Sequence, residues 1–323
     1  MSAAVDRPRA MAVAIAGQLA VGGALLVGVT LLSFVLMVHF GPDASFGLVG
    51  KNPTAETIDQ LREQLGQNRN FWLRYGEYLR ELMTLDLGYS DSTGERVASM
   101  LARSVPVTLA LITPGLVLGN LLAIALALLA AWHRGGWIDR LITGFSVVGM
   151  SLSVVIVIIV CQLLFGVVLG WFPVRGWNVQ DLGSYVHHVS VPTLATVFVS
   201  LGYNTRVFRA VVVEELGRDY VRTARAYGAS PVRILFRHVL RNALIPIATR
   251  ILFSLPLVVV SGSLLLETQF GIPGVGRLTF DAIASGDQPV LKAVVGLSAV
   301  LFVLVQVTAD LAYRWIDPRL ALR

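Results

Sequence analysis

Long apolar runs alternate with short polar ones along this chain, and the length of the apolar runs decides the class of protein. A helix rising about 1.5 Å per residue needs roughly 17–25 apolar residues to cross a hydrocarbon layer about 30 Å thick. Six segments reach that length: residues 11–38, 104–131, 141–170, 189–205, 244–266 and 290–312. The fourth is the shortest and is expected to continue helically to Val213. Backbone groups in lipid must be satisfied within the segment, so the expected fold is an all-α polytopic membrane protein with six transmembrane helices. The first run is too long for a signal peptide and lacks a small-residue cleavage site, which predicts a retained helix packing through Gly17, Gly22, Gly23 and Gly28. Pro106 and Pro114 predict a kinked or loosely wound second span.

Three polar stretches interrupt the apolar pattern. Within residues 39–103, Ile58, Leu61 and Leu65, then Trp72, Tyr75, Leu79 and Leu82, recur at helical spacing and predict two short amphipathic helices on the outer face. The run ETQFGIPGVGRLTFDAIASGDQP is glycine-rich and predicts a short re-entrant or capping element. The division expected is therefore residues 1–38 (tail and first span), 39–103 (outer helical domain) and 104–323 (a five-helix core). The third stretch, EELGRDYVRTARAYGASPVRILFRHVLRNALIP, lies between two spans and predicts a sharp helix-turn-helix elbow. Asp219 is placed as N-cap of a helix of about ten residues and Gly228 as its C′ residue, then Ser230 and Pro231 as N-cap and N1 of the next helix. Val221, Ala224 and Gly228 share a small-residue face on which another protein's groove could approach. Arg218, Arg222 and Arg225 share a cationic face, and Arg233, Arg237 and Arg241 recur every four residues beyond it.

Composition agrees with the pattern: 55% of residues are hydrophobic, 14% charged, and the mean hydropathy is +0.71, which excludes an ordinary soluble domain. Charge placement orients the chain. With a cytoplasmic N-terminus, residues 1–10, 132–140, 205–250 and 311–323 hold 2, 2, 9 and 3 of the 26 basic residues, while the longer outer loops hold 7, 1 and 1. The positive-inside rule then puts both termini and the elbow in the cytoplasm. The basic residues serve topology and docking, and no nucleic-acid partner is expected.

Candidate chemistry is sparse. A Walker A motif requires Gly-x4-Gly-Lys-Ser/Thr, and the one Gly-Lys pair, Gly50–Lys51, has Ser45 and Asn52 at the other two places. Neither HExxH nor GxSxG occurs, so no catalytic residue is assigned. His187 and His188 adjoin one another with only Asp181 nearby, and Cys161 is the sole cysteine, so no metal site is assigned either. The centres of the spans carry no ionisable residue, which argues against proton- or sodium-coupled transport. Asn204 and Gln306 are polar exceptions within spans. Arg250, about 9 Å along a helix from Leu244, is the candidate ligand-facing charge, weighed against an arginine that snorkels to headgroups. A passage with a docking elbow but no engine implies an engine on another chain. A channel or secondary carrier acting alone, and a membrane scaffold without transport, are the rival classes.

The elbow segment DYVRTARAYGASPVRILFRHVLRNALIP resembles the cytoplasmic signature loop of binding-protein-dependent ABC importer permeases, specifically the B-type permease of the dipeptide, oligopeptide and nickel group. FGPDAS, LREQLG, LDLGYS, SVPVTLAL, ETQFGIPGVGRL, GDQP and DLAYRWIDPRL stand in the same order, so the resemblance covers nearly the whole chain. It departs from the general signature Glu-Ala-Ala-x3-Gly at Arg222 and Thr223, keeps Ala224 and Gly228, and has Leu240–Arg241 where Leu-Pro is usual. The resemblance implies a type I ABC importer permease fold in a bacterial plasma (inner) membrane. It also implies pairing with a homologous C-type permease, with two ATPase subunits or a fused ATPase beneath and an extracellular solute-binding protein above. ATP and magnesium would then sit on the partners, with no cofactor on this chain. The family's coupling helix maps onto 219–228, with Asp219, Tyr220, Arg222, Thr223, Ala224, Arg225, Ala226 and Gly228 as its contact residues. Peptides are the cargo the resemblance suggests, with nickel chelates, glutathione or haem as alternatives.

Overall fold

The computed structural model describes residues 7–40 and 70–316. Helices joined by turns and short loops make up these residues, and strand-type pairing among them amounts to one isolated bridge between Tyr89 and Arg96. Two compact units divide the chain, one within Met1–Val107 and Pro273–Arg323, the other Thr108–Ile272.

In the first unit, α1 (Arg7–Phe40) packs along α11 (Gln288–Ile316). A Cβ added to Gly22 would sit 2.9 Å from Val303 Cγ1, so this glycine sets the approach of the two helices. Gly17, Gly23 and Gly28 meet nothing within 4 Å, so of the four expected packing glycines only Gly22 does that work among the described residues. The amphipathic helix expected around Tyr75 is α2 (Phe71–Thr84), capped by Asn70, whose side chain accepts from the Trp72 N–H. Its inward stripe is Phe71, Tyr75, Tyr78 and Leu79 against Phe34; Trp72 is 67% exposed and does not belong to that stripe. The Tyr78 hydroxyl donates to the Lys292 carbonyl at 3.0 Å, and burial pushes its pKa up to about 12. The helix expected around Ile58, Leu61 and Leu65 lies outside the described residues. The glycine-rich run 267–289 contains α10 (Val275–Ser285), whose Val275 and Ala282 pack with Val97, Leu101 and Val290. Just before α11, the Asp287 carboxylate accepts hydrogen bonds from the Ser90 and Ser92 hydroxyls and from the Ser92 and Val290 N–H groups. The motifs LDLGYS and GDQP thus meet at one anion.

The second unit is built on α6 (Leu182–Leu216), which Asp181 and Ser184 start with a capping box. Small residues let neighbours close on it. A Cβ at Gly119 of α3 (Val97–Trp132) would fall 2.3 Å from Ser200 Oγ, and one at Gly202 would fall 2.9 Å from backbone atoms of Gly149 and Met150 in α4 (Trp137–Ser151). α3 stays α-helical through Pro106 and Pro114, so the loose winding expected there is absent. The third apolar run is not one straight span. α4 meets α5 (Val154–Cys161, extended by a π-helical Gln162–Val168) at an angle of 99°.

Among the described residues four helical stretches are long and apolar enough to cross a membrane: Ala20–His39, Val97–Trp132, Pro231–Leu257 and Gln288–Thr308. The bent pair makes a fifth if counted as one span. α6 is less apolar because His187 and His188 near its start and Asn204, Arg206 and Arg209 beyond its middle dilute its apolar stretch.

Candidate functional site

The elbow begins where α6 ends. Arg218 adopts an extended conformation and serves as N-cap of α7 (Asp219–Ala226), so Asp219 is the first helical residue rather than the cap expected from its side chain. There it still places a carboxylate against the positive end of the helix. Arg218 pairs with Glu214 at 2.9 Å, and the Tyr220 hydroxyl donates to Glu215 at 2.6 Å. Burial and that carboxylate together raise the Tyr220 pKa, so the phenol stays protonated and bonded. α7 is clamped to the end of α6 by these contacts.

Termination follows from backbone chemistry. Gly228 has φ +75°, the left-handed region that glycine enters without a Cβ penalty. Its N–H reaches the Arg225 carbonyl at 2.9 Å, and the Ala229 N–H reaches Ala224 at 3.0 Å, which together make a Schellman motif. Ser230 and Pro231 open α8 (Pro231–Leu257) as expected, with the Ser230 hydroxyl accepting from the Arg233 N–H. The stretch Ile234–Val239 then winds as a π-helix.

Most of the small face points inward, where the sequence reading put it outside: Val221 and Ala224 turn into the chain's own core, and Gly228 stays exposed. Val221 is fully buried and packs with Phe208, Val212, Ile234, Leu235 and Val239, and Ala224 packs partly buried against the same core. Burial of a valine side chain contributes about 1.5–3 kcal/mol, so the stripe at i and i+3 anchors the elbow to its own unit. What remains outside is Asp219, Arg222, Thr223, Arg225, Ala226, Tyr227 and Gly228, all exposed. A cleft of about 650 Å³ opens in this surface, lined in part by Tyr220, Thr223, Tyr227, Arg233, Arg237 and His238. Arg241 is exposed but does not line it. The arrangement suits an acidic or hydroxyl-bearing surface inserted beside Tyr227, which is 87% exposed.

Of the expected pathway residues, Asn204 donates to Asn120 Oδ1 at 3.1 Å and so joins α6 to α3. Arg250 lies half-buried in α8 with its guanidinium 4.8 Å from the centre of the Tyr203 ring. Gln306 is half-buried on α11. His187 and His188 turn to the carbonyls of Trp171 and Ser184, and Cys161 lies partly buried at the end of α5.

Several polar contacts escaped sequence reading. Asp139 accepts from Arg209 Nε at 2.6 Å and Nη2 at 2.7 Å and from the Gly135 N–H at 2.9 Å, locking the start of α4 to α6. Glu267 is wholly buried in α9 (Ser263–Phe270) and accepts from the Thr108 hydroxyl at 2.6 Å. Gln162 and Gln269 pair at 2.7 Å, while Arg175 donates to the Thr268 and Gln269 carbonyls at the negative end of α9. Partners 70 to 159 residues apart leave no short-range signal, although the only acid in the 132–140 loop is a flag that could have been read.

Comparison with known proteins fits this geometry. Residues 123–322 match the family described as binding-protein-dependent transport system inner membrane component. A probable peptide ABC transporter permease of Sinorhizobium fredii is 33% identical over 88% of this chain and 92% of its own length. The dipeptide transport system permease protein DppB of Alkalihalophilus pseudofirmus is 29% identical over 84% of this chain and 88% of its own. The glutathione transport system permease protein GsiC of Escherichia coli is 31% identical over 88% and 90%. An all-helical, multi-pass chain with a buried-stripe elbow between its later spans belongs to the family of binding-protein-dependent transport inner membrane components.

Proposed function

We propose that this chain is the B-type permease of an ATP-driven peptide importer, forming half of a passage shared with a homologous C-type permease. Two ATPase subunits, or one fused ATPase, dock from the cytoplasm and carry the ATP and magnesium; a solute-binding protein delivers cargo from outside. The chain crosses a bacterial inner membrane six times with both termini cytoplasmic, counting the bent pair α4–α5 and α6 as spans. One observation carries the coupling role: α7 is bolted inward by Val221 while Arg222 and Arg225 stay exposed, and beside it Tyr227, Arg233 and Arg237 line a cleft. A lever must be rigid toward its own body and open toward its driver, and the elbow is both. ATP binding closes the ATPases, draws the elbows together and switches the exposure of the passage by rigid-body motion.

The coupling residues are Asp219, Tyr220, Arg222, Thr223, Ala224, Arg225, Ala226 and Gly228. Tyr220 and Ala224 act from the inner side by fixing the helix, and the others by contact. Arg250, Asn204 and Gln306 are assigned to the substrate pathway, Asn204 through its pairing with Asn120. The peptide and dipeptide permeases among the relatives support peptide cargo, and the glutathione permease favours glutathione, itself a small peptide, as the second reading.

The test is Gly228→Glu beside Gly228→Asn in the assembled complex. A Cβ at this position meets nothing within 4 Å, so neither side chain clashes there, and the φ of +75° strains glutamate more than asparagine. Asparagine tolerates a positive φ and should retain uptake. Glutamate puts a bulky charge into the docking surface and should abolish uptake while the chain still assembles with the C-type permease. Full uptake by Gly228→Glu removes the coupling role.

A further inference from the structure

The arginines of the second unit differ in what holds them. Arg209 is spent on Asp139, Arg175 on the carbonyls of Thr268 and Gln269, and Arg218 on Glu214. Arg250 is different. It sits within the stretch Pro231–Leu257, about 15 Å along α8 from Leu240. Among the described residues it has no carboxylate and no hydrogen-bond acceptor; its contact is the face of Tyr203. An arginine placed in a membrane-crossing helix without a counter-charge is costly, and a cation–π contact offsets only part of that cost. The same contact holds the guanidinium carbon 4.8 Å from the ring centre, and the group keeps a planar edge of N–H donors that no acceptor among the described residues takes up. That edge matches the two oxygens of a carboxylate. Tyr203 itself remains 42% exposed, so the pair is not sealed within its own unit. Asn204, the next residue, is committed to Asn120 and does not compete for the same anion.

We propose that Arg250, oriented by Tyr203, receives the terminal carboxylate of peptide cargo during passage. Arg250 is the contacting residue, and Tyr203 is a positioning residue that keeps the guanidinium from swinging toward headgroups. The inference rests on the peptide-importer reading and adds to it a requirement for a free C-terminus, imposed within the membrane and not only by the delivering protein.

The complete complex in proteoliposomes, with its binding protein and ATP, is offered an equimolar library of di- and tripeptides, each with a free and an amidated C-terminus. Uptake is read by mass spectrometry as the ratio of acid to amide. Wild-type protein should favour the acid. Arg250→Ala should lower the ratio about tenfold through loss of acid uptake alone, the order expected for one charge-assisted hydrogen-bonded pair. Arg250→Lys should keep part of the preference. Tyr203→Leu should lower the ratio about threefold, and Tyr203→Phe, which keeps the ring, should restore it. An unchanged ratio in Arg250→Ala overturns the proposal, because the preference then lies elsewhere. Equal loss of both forms also overturns it, because the arginine then serves a partner subunit's acid or a lipid phosphate. If the wild-type complex imports no peptide of either form, the peptide reading falls first and this inference with it.

Discussion

Removing Arg209 isolates a buried acid, and the consequence can be worked from the contacts. Asp139 has a side chain only 7% exposed and receives two charged donors at 2.6 and 2.7 Å, a bidentate pair, plus the Gly135 N–H. With alanine at 209, one backbone N–H and a hydroxyl, Thr143 at 3.5 Å, remain. Breaking a buried ion pair on one side costs about 3–5 kcal/mol, and the 27% exposure of the Arg209 side chain argues for the lower end, about 3 kcal/mol. Asp139→Asn keeps the shape and an acceptor and leaves a guanidinium that can turn toward water, so its cost should be about 1–2 kcal/mol. The double variant removes the stranded charge and should be more stable than Arg209→Ala alone. For a unit of this size 3 kcal/mol corresponds to a fall of roughly 6–12 °C in Tm. The assay is the midpoint of loss of the monodisperse peak after heating the detergent-solubilised complex, for wild type, both singles and the double. Additive single effects, or an Arg209→Ala midpoint within about 2 °C of wild type, would show that the pair does not couple α4 to α6.

The close crossing of α4 and α6 gives a second expectation: Gly202→Val drives methyl groups into Gly149 and Met150 backbone at a cost of about 1–3 kcal/mol and should lower the same midpoint by roughly 2–12 °C, while Gly23→Val, in open space, should leave it within error. The Asp287 site predicts a pH dependence. Burial pushes its pKa up, but the serine hydroxyls and backbone donors outweigh it and hold the carboxyl below 3.8, so its stabilisation is present above that value and lost as pH falls through the lower folded pKa. Asp91 runs the other way, since burial and the neighbouring Asp287 raise its pKa and acidification through that higher value is stabilising. Thermal midpoints of the wild type should therefore rise slightly on mild acidification and drop below pH 4, and Asp287→Asn should shrink the drop, the buried Asp139–Arg209 pair contributing the rest; a drop undiminished in Asp287→Asn refutes the assignment.

Legibility in the sequence divides along the range of the interaction. The turn at Gly228 and the cap at Ser230–Pro231 are set by local backbone conformation, which few residue types satisfy, so the elbow's bend could be read directly. Arg218 displaces Asp219 from the cap by one residue, a shift that cap preference cannot resolve without the preceding turn. The Val221–Ala224 stripe was legible as a face but not as an inward one, because small residues serve an internal contact as readily as an external one. The 99° bend between α4 and α5 has no proline or glycine at the break itself; Leu152 and Ser153 adopt extended conformations between two apolar helices, and apolar periodicity is blind to it. Arg250 was visible as an odd charge in an apolar run, whereas Tyr203 as its support depends on α6 and α8 being neighbours. Residues 41–69, including the LREQLG motif, lie outside the described structure.

The most direct test of the elbow as the receiver of work from another chain is the labelling of Tyr227→Cys, in a Cys161→Ala background, by a membrane-impermeant maleimide. At 87% exposure in the free chain, position 227 should react only from the cytoplasmic side, and the assembled ATPase subunits should block it. Reaction from the outer side, or labelling undiminished by bound ATPase, would contradict the account.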